Sequence, residues 1–191
     1  GMGGSGTIGD IFSSILSKSK IHVTVIKGYT LPNTIDSKTL VVTVSVSGNT
    51  DETLSVLDLA HKTKAKVIAF SSGGKMLEYC KNKKIEHRLI PQYHSPRASF
   101  PSYLYTMLKV LYSTLGIKHK DILESIRELN KIYEKINSSN LTESNPSLNL
   151  AKWIPDVPII YYPFGLQSVE IRFKNVLQEN SKIHVINEDI V

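Results

Sequence analysis

The stretch Val41-Val42-Thr43-Val44-Ser45-Val46-Ser47-Gly48-Asn49-Thr50-Asp51-Glu52-Thr53-Leu54 decides the fold. Its first half is a run of β-branched residues, which is typical of a buried strand. Its second half is a hydroxyl-rich turn that contains a glycine, and from Thr53 onward apolar residues recur at helical spacing. The stretch therefore predicts a strand that passes through a short turn directly into a helix.

The predicted turn has the features of an anion site. We expect Asn49 to be the N-cap of the helix and Glu52 its capping-box partner, which leaves free backbone N–H groups at the positive end of the helix dipole. The hydroxyls of Ser45, Ser47 and Thr50 add donors that suit the terminal oxygens of a phosphate monoester. Serine and threonine are also common as plain turn and cap residues, and that simpler account stays open.

Composition indicates a soluble globular protein. The 191 residues suffice for one large domain, or for one domain and part of another, and 41% hydrophobic with 21% charged residues is ordinary for this class. No apolar run reaches membrane-spanning length and no signal-peptide pattern opens the chain, so we expect a cytoplasmic protein without a membrane partner. The single cysteine, Cys80, fits a half-buried structural thiol on a helix.

The net charge of +6 favours an anionic partner without specifying it. The excess lysines are dispersed, and basic and aromatic residues are not interleaved, so nucleic-acid binding has little support. No His/Cys/Asp cluster has the spacing of metal ligands, and no nucleotide-binding fingerprint is present. We therefore expect no metal and no cofactor.

Strand and helix patterns alternate along the chain. Strands are predicted at Ile21–Ile26, from Val41, at Ala65–Phe70, at His87–Ile90, from Val157 to Tyr162 and at Ile183–Ile186. Helices are predicted at Ile11–Leu16, from Thr53, at Met76–Lys83, Ser102–Leu115, His119–Ile136, Leu148–Trp153 and Gly165–Gln178. This alternation predicts an α/β fold with a doubly wound, mainly parallel sheet flanked by helices, and ligands bound beyond the carboxyl ends of the strands.

The predicted domain organisation has three parts. Residues 1–118 form a first α/β domain that contains the hydroxyl-rich turn, and residues 119–147 are a linking helix and loop. Residues 148–191 begin a second α/β unit.

Two further segments are candidates for the site. The opening Gly1-Met2-Gly3-Gly4-Ser5-Gly6 is either a flexible leader or a phosphate-side loop at a helix N-terminus, where glycines let the backbone approach a ligand. Arg97 lies between Pro96 and Pro101 on a stiff loop at the carboxyl edge of the predicted sheet. It is either a plain surface arginine or a residue placed for chemistry.

These residues together resemble the sugar isomerase (SIS) family, and within it the bifunctional phosphoglucose/phosphomannose isomerases. Four motifs occur in the family's order: the opening glycine segment, Ser45-Val46-Ser47-Gly48-Asn49-Thr50 with Glu52, Ser95-Pro96-Arg97-Ala98, and Arg172-Phe173-Lys174-Asn175 running into Glu179-Asn180-Ser181-Lys182. The motif around Ser45 to Thr50 is typical of phosphosugar binding in general, whereas the Pro96-Arg97 and Glu179-Asn180 motifs are typical of this isomerase branch.

The resemblance implies a role for each matched residue. Ser45, Ser47 and Thr50 hold the sugar phosphate, and Gly3, Gly4 and Ser5 lie along the substrate. Glu179 is the base, and Arg97 stabilises the intermediate. The implied reaction interconverts glucose 6-phosphate, and mannose 6-phosphate, with fructose 6-phosphate through a cis-enediolate, in the service of glycolysis and gluconeogenesis. The family's active site lies between subunits, so the resemblance also implies a homodimer with a shared active site.

The chain departs from the family pattern at both ends, and we expect it to be shortened there. The strand that precedes the glycine loop in the family is missing, as are the branch's ring-opening histidine and late lysine. His184 lies close to Glu179 in the sequence, but on an alternating strand it fits a structural or exposed residue. Two functions follow as alternatives: an isomerase that needs Glu179, and a non-catalytic SIS module that senses a sugar phosphate and does not need it.

Overall fold

The structure is a computed structural model that describes residues 1–95, 97–154 and 156–190. The chain divides into two compact units, Gly1–Met107 and Leu108–Val191. Each unit contains a parallel sheet and helices, which confirms the predicted α/β class with parallel strands flanked by helices. The predicted division into three parts stays a prediction.

The first unit is built on a three-stranded sheet. Its elements in chain order are α1 (Gly3–Leu16), β1 (Leu40–Ser45), α2 (Asp51–His61), β2 (Lys66–Ser71), α3 (Gly74–Lys83), β3 (Glu86–Leu89) and the beginning of α4 (Phe100–Leu111). The strands are parallel in the order β1-β2-β3, and Ser45 lies opposite Ser71 in the register. The carboxyl ends of β1 and β2 are therefore level, and the turns that follow them are neighbours.

Apolar residues of α2, β2 and α3 form one buried cluster. Leu57, Ala69, Met76 and Cys80 are each at most 1% exposed, and Leu54, Val67, Tyr79 and Ile85 pack around them. Cys80 is thus fully buried rather than half-buried, and this burial raises the pKa of its thiol to about 11. The cluster holds both helices against the sheet, which fixes where their first turns lie.

The second unit is smaller and has a two-stranded sheet. Its elements are α5 (His119–Ile136), α6 (Pro146–Trp153), β4 (Ile159–Tyr162), α7 (Gln167–Ser181) and β5 (Ile186–Asp189). The two strands are parallel, with Ile159 opposite Ile186. Asn145 caps α6 by accepting from the backbone N–H groups of Ser147 and Leu148.

A buried carboxyl group joins α7 to β5. The Nδ2 of Asn187 donates to Oε2 of Glu170 at 3.0 Å, and Lys174 donates to Oδ1 of Asn187 at 2.6 Å. Glu170 is 4% exposed, and Oε1 has no hydrogen-bond partner among the described residues. Burial raises the pKa of Glu170, against the opposing effects of Asn187 and Lys174.

Three sequence predictions were wrong. Ile21–Ile26 alternates in sequence but forms no strand, because no neighbouring strand pairs with it in the described chain. The opening glycines do not form a loop, since α1 already begins at Gly3. The last strand runs from Ile186 to Asp189 rather than from Ile183 to Ile186, because its pairing with β4 sets the register.

None of the helices in residues 1–95, 97–154 and 156–190 combines the length and the hydropathy needed to cross a membrane.

Candidate phosphosugar site

The hydroxyl-rich turn between β1 and α2 is a compact hydrogen-bonded structure. Ser45 is 1% exposed, and its Oγ lies 2.9 Å from Thr50 Oγ1 and accepts from the Gly48 N–H at 3.1 Å. The exposed Ser47 accepts from the Asn49 N–H through its Oγ at 3.2 Å. The turn thus brings together the three hydroxyl groups that the sequence selects, with Ser45 at the base and Ser47 on the surface.

The predicted N-cap of α2 was wrong. Thr50, not Asn49, is the N-cap residue, and no side chain makes a cap hydrogen bond there. The Asn49 side chain turns instead to α3, where its Oδ1 accepts from the Lys75 N–H at 3.0 Å. A contact with the neighbouring turn therefore replaces the local capping box. The first N–H groups of α2 keep their donor capacity at the positive end of the helix dipole.

The turn after β2, formed by residues 71–74, interlocks with the first turn. Val46 O accepts from both the backbone N–H and the hydroxyl of Ser72, at 3.0 and 2.6 Å. Gly48 O accepts from the N–H of Met76 at 2.9 Å. The amino end of α3 is therefore occupied by atoms of the turn between β1 and α2.

Two glycines permit this close approach. A Cβ on Gly48, whose φ is +70°, would lie 1.9 Å from Gly73 O. A Cβ on Gly74, whose φ is +64°, would lie 2.6 Å from Ser47 O. No L side chain fits at either position, so the contact between the two turns depends on glycine.

A serine and a histidine that the sequence analysis did not select lie behind the second turn. Ser71 is completely buried, and its Oγ lies 2.8 Å from Nε2 of the half-buried His87 on β3. The same Oγ donates to Gly73 O at 2.9 Å and accepts from the Gly73 N–H at 3.2 Å. No local sequence pattern links Ser71 to a histidine sixteen residues later.

Tyr103 ties the ends of two strands to α4. Its hydroxyl contacts Val46 O and Ile90 O, both at 3.2 Å, and the side chain is 0% exposed. Burial raises the pKa of Tyr103 to about 12, so the hydroxyl stays protonated and able to donate at physiological pH.

Arg97 is exposed on a loop whose backbone is held by serine side chains. Ser99, which is fully buried, accepts from the Tyr93 N–H at 2.9 Å and donates to Ser95 O at 2.9 Å. Ser95 Oγ accepts from the Ala98 N–H at 3.3 Å. Pro96 lies outside the described residues. The serine hydrogen bonds hold the backbone of Tyr93, Ser95 and Ala98.

The opening glycines form the first turn of α1. The N-cap is Met2, which makes no side-chain cap hydrogen bond, and Gly3 is exposed with a φ of +49°. Nothing lies within 4 Å of the position of a Cβ on Gly3. The exposed Gly3 and the half-buried Gly4 and Ser5 therefore form a second helix N-terminus in the first unit.

A cavity of about 200 Å³ lies at the opposite edge of the sheet, at the amino ends of β2 and β3. It is lined by His61, Ala65, Val67, Lys83, Lys84, Ile85 and Glu86. None of these residues belongs to the predicted site, which is at the carboxyl edge.

Comparison with protein families decides the affiliation. The SIS domain family matches residues 1–110, which include both turns, Arg97 and the opening glycines. The chain belongs to the SIS domain family. Residues 143–191 match a second family, the bacterial phospho-glucose isomerase C-terminal SIS domain.

Two curated relatives resemble this SIS chain along most of its length. The bifunctional phosphoglucose/phosphomannose isomerase of Caldicellulosiruptor bescii is 36% identical over 189 residues, which are 95% of this chain and 55% of that protein. The D-glucosamine-6-phosphate 4-epimerase of Sulfolobus acidocaldarius is 32% identical over 186 residues, which are 95% of this chain and 56% of that protein. The chain thus spans about half the length of the curated relatives that it matches.

Solved structures agree on the fold. The glucosamine-6-phosphate deaminase of Thermotoga maritima superimposes with a TM-score of 0.75 at 14% identity, over 98% of this chain and 59% of that one. At this identity the likeness supports the SIS fold alone.

The remaining predicted site residue of the SIS chain lies in the second unit. Glu179 is exposed in the last turn of α7, whereas Arg97 and the turn at 45–50 belong to the first unit. His184 is exposed just before β5. The roles of Glu179 and Arg97, and the phosphate contacts of Gly3, Gly4, Ser5, Ser45, Ser47 and Thr50, stay predictions.

Proposed function

We propose that this chain is a phosphosugar isomerase, or the part of one that binds the sugar phosphate. The reaction interconverts glucose 6-phosphate, and mannose 6-phosphate, with fructose 6-phosphate. One observation carries the proposal: at the turn between β1 and α2, Ser47 and Thr50 hydroxyls stand beside a helix N-terminus that no side chain caps. A helix N-terminus with hydroxyl donors is suited to a phosphate monoester.

The charged side chains next to this turn do not attract a phosphate, so its binding depends on direct hydrogen bonds. The first turn of α2 carries Asp51 and Glu52, which interact favourably with the helix dipole but repel a second anion. The hydroxyls and the backbone N–H groups must therefore supply the affinity. Ser45 contributes by holding Thr50 and Gly48. Either hydroxyl can be the donor in the Ser45–Thr50 hydrogen bond, and the other one keeps its proton for the phosphate.

The isomerisation needs one base and one cation. Glu179 removes the proton from C2 and returns it to C1, so that a single carboxylate next to both carbons suffices. Arg97 offsets the negative charge that develops on the enediolate oxygen, and it stays protonated throughout. The enediolate from mannose 6-phosphate is the same one, because C2 loses its configuration in that intermediate.

The wider setting follows from the same proposal. We expect a cytoplasmic homodimer with a shared active site, acting in glycolysis and gluconeogenesis. Proton transfer between adjacent carbons requires no hydride acceptor, so we expect no nucleotide. We expect no metal because the sequence has no His/Cys/Asp cluster with the spacing of metal ligands. The names of the relatives support a sugar phosphate as substrate, and the C. bescii protein is named for both hexose phosphates.

Two substitutions test the proposal at separate points. Thr50→Val removes one hydroxyl while keeping the shape, and we expect the affinity for fructose 6-phosphate to fall about tenfold. Glu179→Gln removes the base, and we expect turnover to fall at least about a hundredfold with unchanged affinity. Calorimetry measures the affinity, and an assay coupled to product formation from each hexose 6-phosphate measures turnover.

The matched control is Glu134→Gln. Glu134 is the third residue from the end of α5, and Glu179 has the same position in α7. Both are exposed, so the control removes an equal charge at an equivalent helix end. Undiminished turnover in the Glu179 variant rejects the assignment of Glu179 as the base. Equal losses of turnover in both variants also reject it, because the loss of one negative charge at a helix end would then explain the result.

A non-catalytic SIS module remains the alternative function. It predicts phosphosugar binding that depends on Thr50 and no turnover with any hexose phosphate. The named epimerase among the relatives adds glucosamine 6-phosphate as a further substrate for the same assay. Turnover of that compound alone would replace the aldose-ketose assignment with an epimerase.

A further inference from the structure

The buried Ser71 and the half-buried His87 form a hydrogen-bonded pair directly behind the two interlocked turns. Ala69 lies opposite His87 in the parallel register, so His87 and Ser71 project from the same face of neighbouring strands. The 2.8 Å contact between Ser71 Oγ and His87 Nε2 follows from this register. The pair is therefore fixed by the sheet rather than by a loop.

The hydrogen bonds of Ser71 determine which nitrogen of His87 carries a proton. A hydroxyl has one proton and two lone pairs. Gly73 O takes the proton, and the Gly73 N–H uses one lone pair. His87 can complete this set only by donating its Nε2–H to the second lone pair. Burial, reinforced by Lys81, lowers the pKa of His87, which favours the neutral ring at pH 8. The hydrogen bonds of Ser71 then favour the tautomer with the proton on Nε2.

The backbone of Gly73 transmits this arrangement to the hydroxyl-rich turn. Gly73 has a φ of +140°, and its carbonyl oxygen would be 1.9 Å from a Cβ on Gly48. Ser71 Oγ itself would be 3.3 Å from that Cβ. Gly48 in turn donates to Ser45 and precedes Thr50 by two residues. The position of Gly48 therefore depends on the turn that Ser71 holds.

We propose that His87 is a positioning residue of the phosphate site, acting through Ser71 and Gly73 on the turn that carries Ser47 and Thr50. This inference rests on the proposed function, since it assigns the pair to the same site. His87 does not contact the substrate. Its hydrogen bond keeps the Ser71 hydroxyl aligned with Gly73, and the alignment keeps the donors of the first turn in place for the ligand.

The test compares two substitutions at one position. His87→Phe keeps a planar ring and removes the donor, whereas His87→Gln places an amide N–H close to the position of Nε2. We expect His87→Phe to weaken binding of inorganic phosphate and of fructose 6-phosphate about tenfold, and His87→Gln to restore it to within about twofold of the unaltered chain. Calorimetry at pH 8 measures both ligands, and in an active preparation the change should appear in KM rather than in kcat.

The control is His22→Phe, the same substitution at an exposed histidine. A second variant, Ser71→Ala, should reproduce the His87→Phe loss, and it decides the matter if the phenylalanine variant does not fold. Normal binding in the unaltered chain with equal affinities in both His87 variants overturns the positioning role and leaves the proposed function standing. Equal losses in both variants also overturn it, because ring packing would then explain them. No phosphate binding by the unaltered chain overturns both proposals.

Discussion

The amino ends of α2 and α3 lie at the same edge of one sheet, but their donors are satisfied in different ways. At α3, Asn49 Oδ1 and Gly48 O accept from the N–H groups of Lys75 and Met76. At α2, the N-cap residue Thr50 provides no side-chain cap. Two strand-turn-helix units of one sheet thus differ in what occupies the helix N-terminus. The protein fills one with its own atoms, and the other is the one we assign to the phosphate.

The amino ends of both α2 and α3 depend on Gly48, so its substitution should have the largest effect on stability. In Gly48→Ala the new Cβ meets Gly73 O at 1.9 Å and the backbone keeps a positive φ. We expect the free energy of unfolding to fall by roughly 3 kcal/mol, because the two turns must separate. Denaturant titration measures the loss.

Gly116→Ala is the matched control for this substitution. Gly116 has a similar φ of +66°, but nothing lies within 4 Å of its Cβ position. It should cost about 1 kcal/mol, which is the backbone contribution alone. If the two alanine variants lose equal stability, the close contact between the turns is not what holds them.

A substitution at Asn49 should affect the amino end of α3 and not that of α2. Asn49→Ala removes the acceptor for the Lys75 N–H at the start of α3, and we expect a loss of about 1 kcal/mol in unfolding free energy. Under the original capping-box prediction the same substitution would destabilise α2. Hydrogen exchange distinguishes the two, since protection should fall in the first turn of α3 and not in that of α2.

The smallest expected effect concerns pH. The pKa of His87 is lowered in the folded chain by burial and by Lys81, so the unfolded chain binds a proton first as the pH falls below 6.5. The stability contributed by the neutral ring is present above that pH and is lost on acidification through the lowered pKa. Unfolding free energy should therefore fall more steeply below pH 6.5 in the unaltered chain than in His87→Gln. Identical slopes would contradict the lowered pKa.

Local signals in the sequence predicted much of the fold. The β-branched run and the helical spacing located β1 and α2, and the predicted bounds of α5 match the structure. The alternation at Ile21–Ile26 was equally clear but misleading, because a strand also needs a hydrogen-bonded neighbour. Patterns within one segment do not contain that information.

The site was predicted less completely than the fold. The hydroxyl groups at 45–50 were identified, because their spacing around a glycine is a local property. The predicted capping role of Asn49 was wrong, because its partner, Lys75, is 26 residues away on another helix. The contact between His87 and Ser71 was not predicted for the same reason, because only the strand register brings the two residues together. Contacts between distant segments decided both cases.

The two hydrogen bonds of Tyr103 have a mechanical consequence. Arg97 lies six residues before this tyrosine, on the loop that leads into α4. The tyrosine hydroxyl contacts Val46 O, just after β1, and Ile90 O, just after β3. Tyr103 therefore links the start of α4, which follows the arginine loop, to the end of the strand that bears Ser45. Rotating α4 would break the contacts of Tyr103 with Val46 O and Ile90 O, so the first turn of α4 stays at the ends of β1 and β3 as long as these contacts hold.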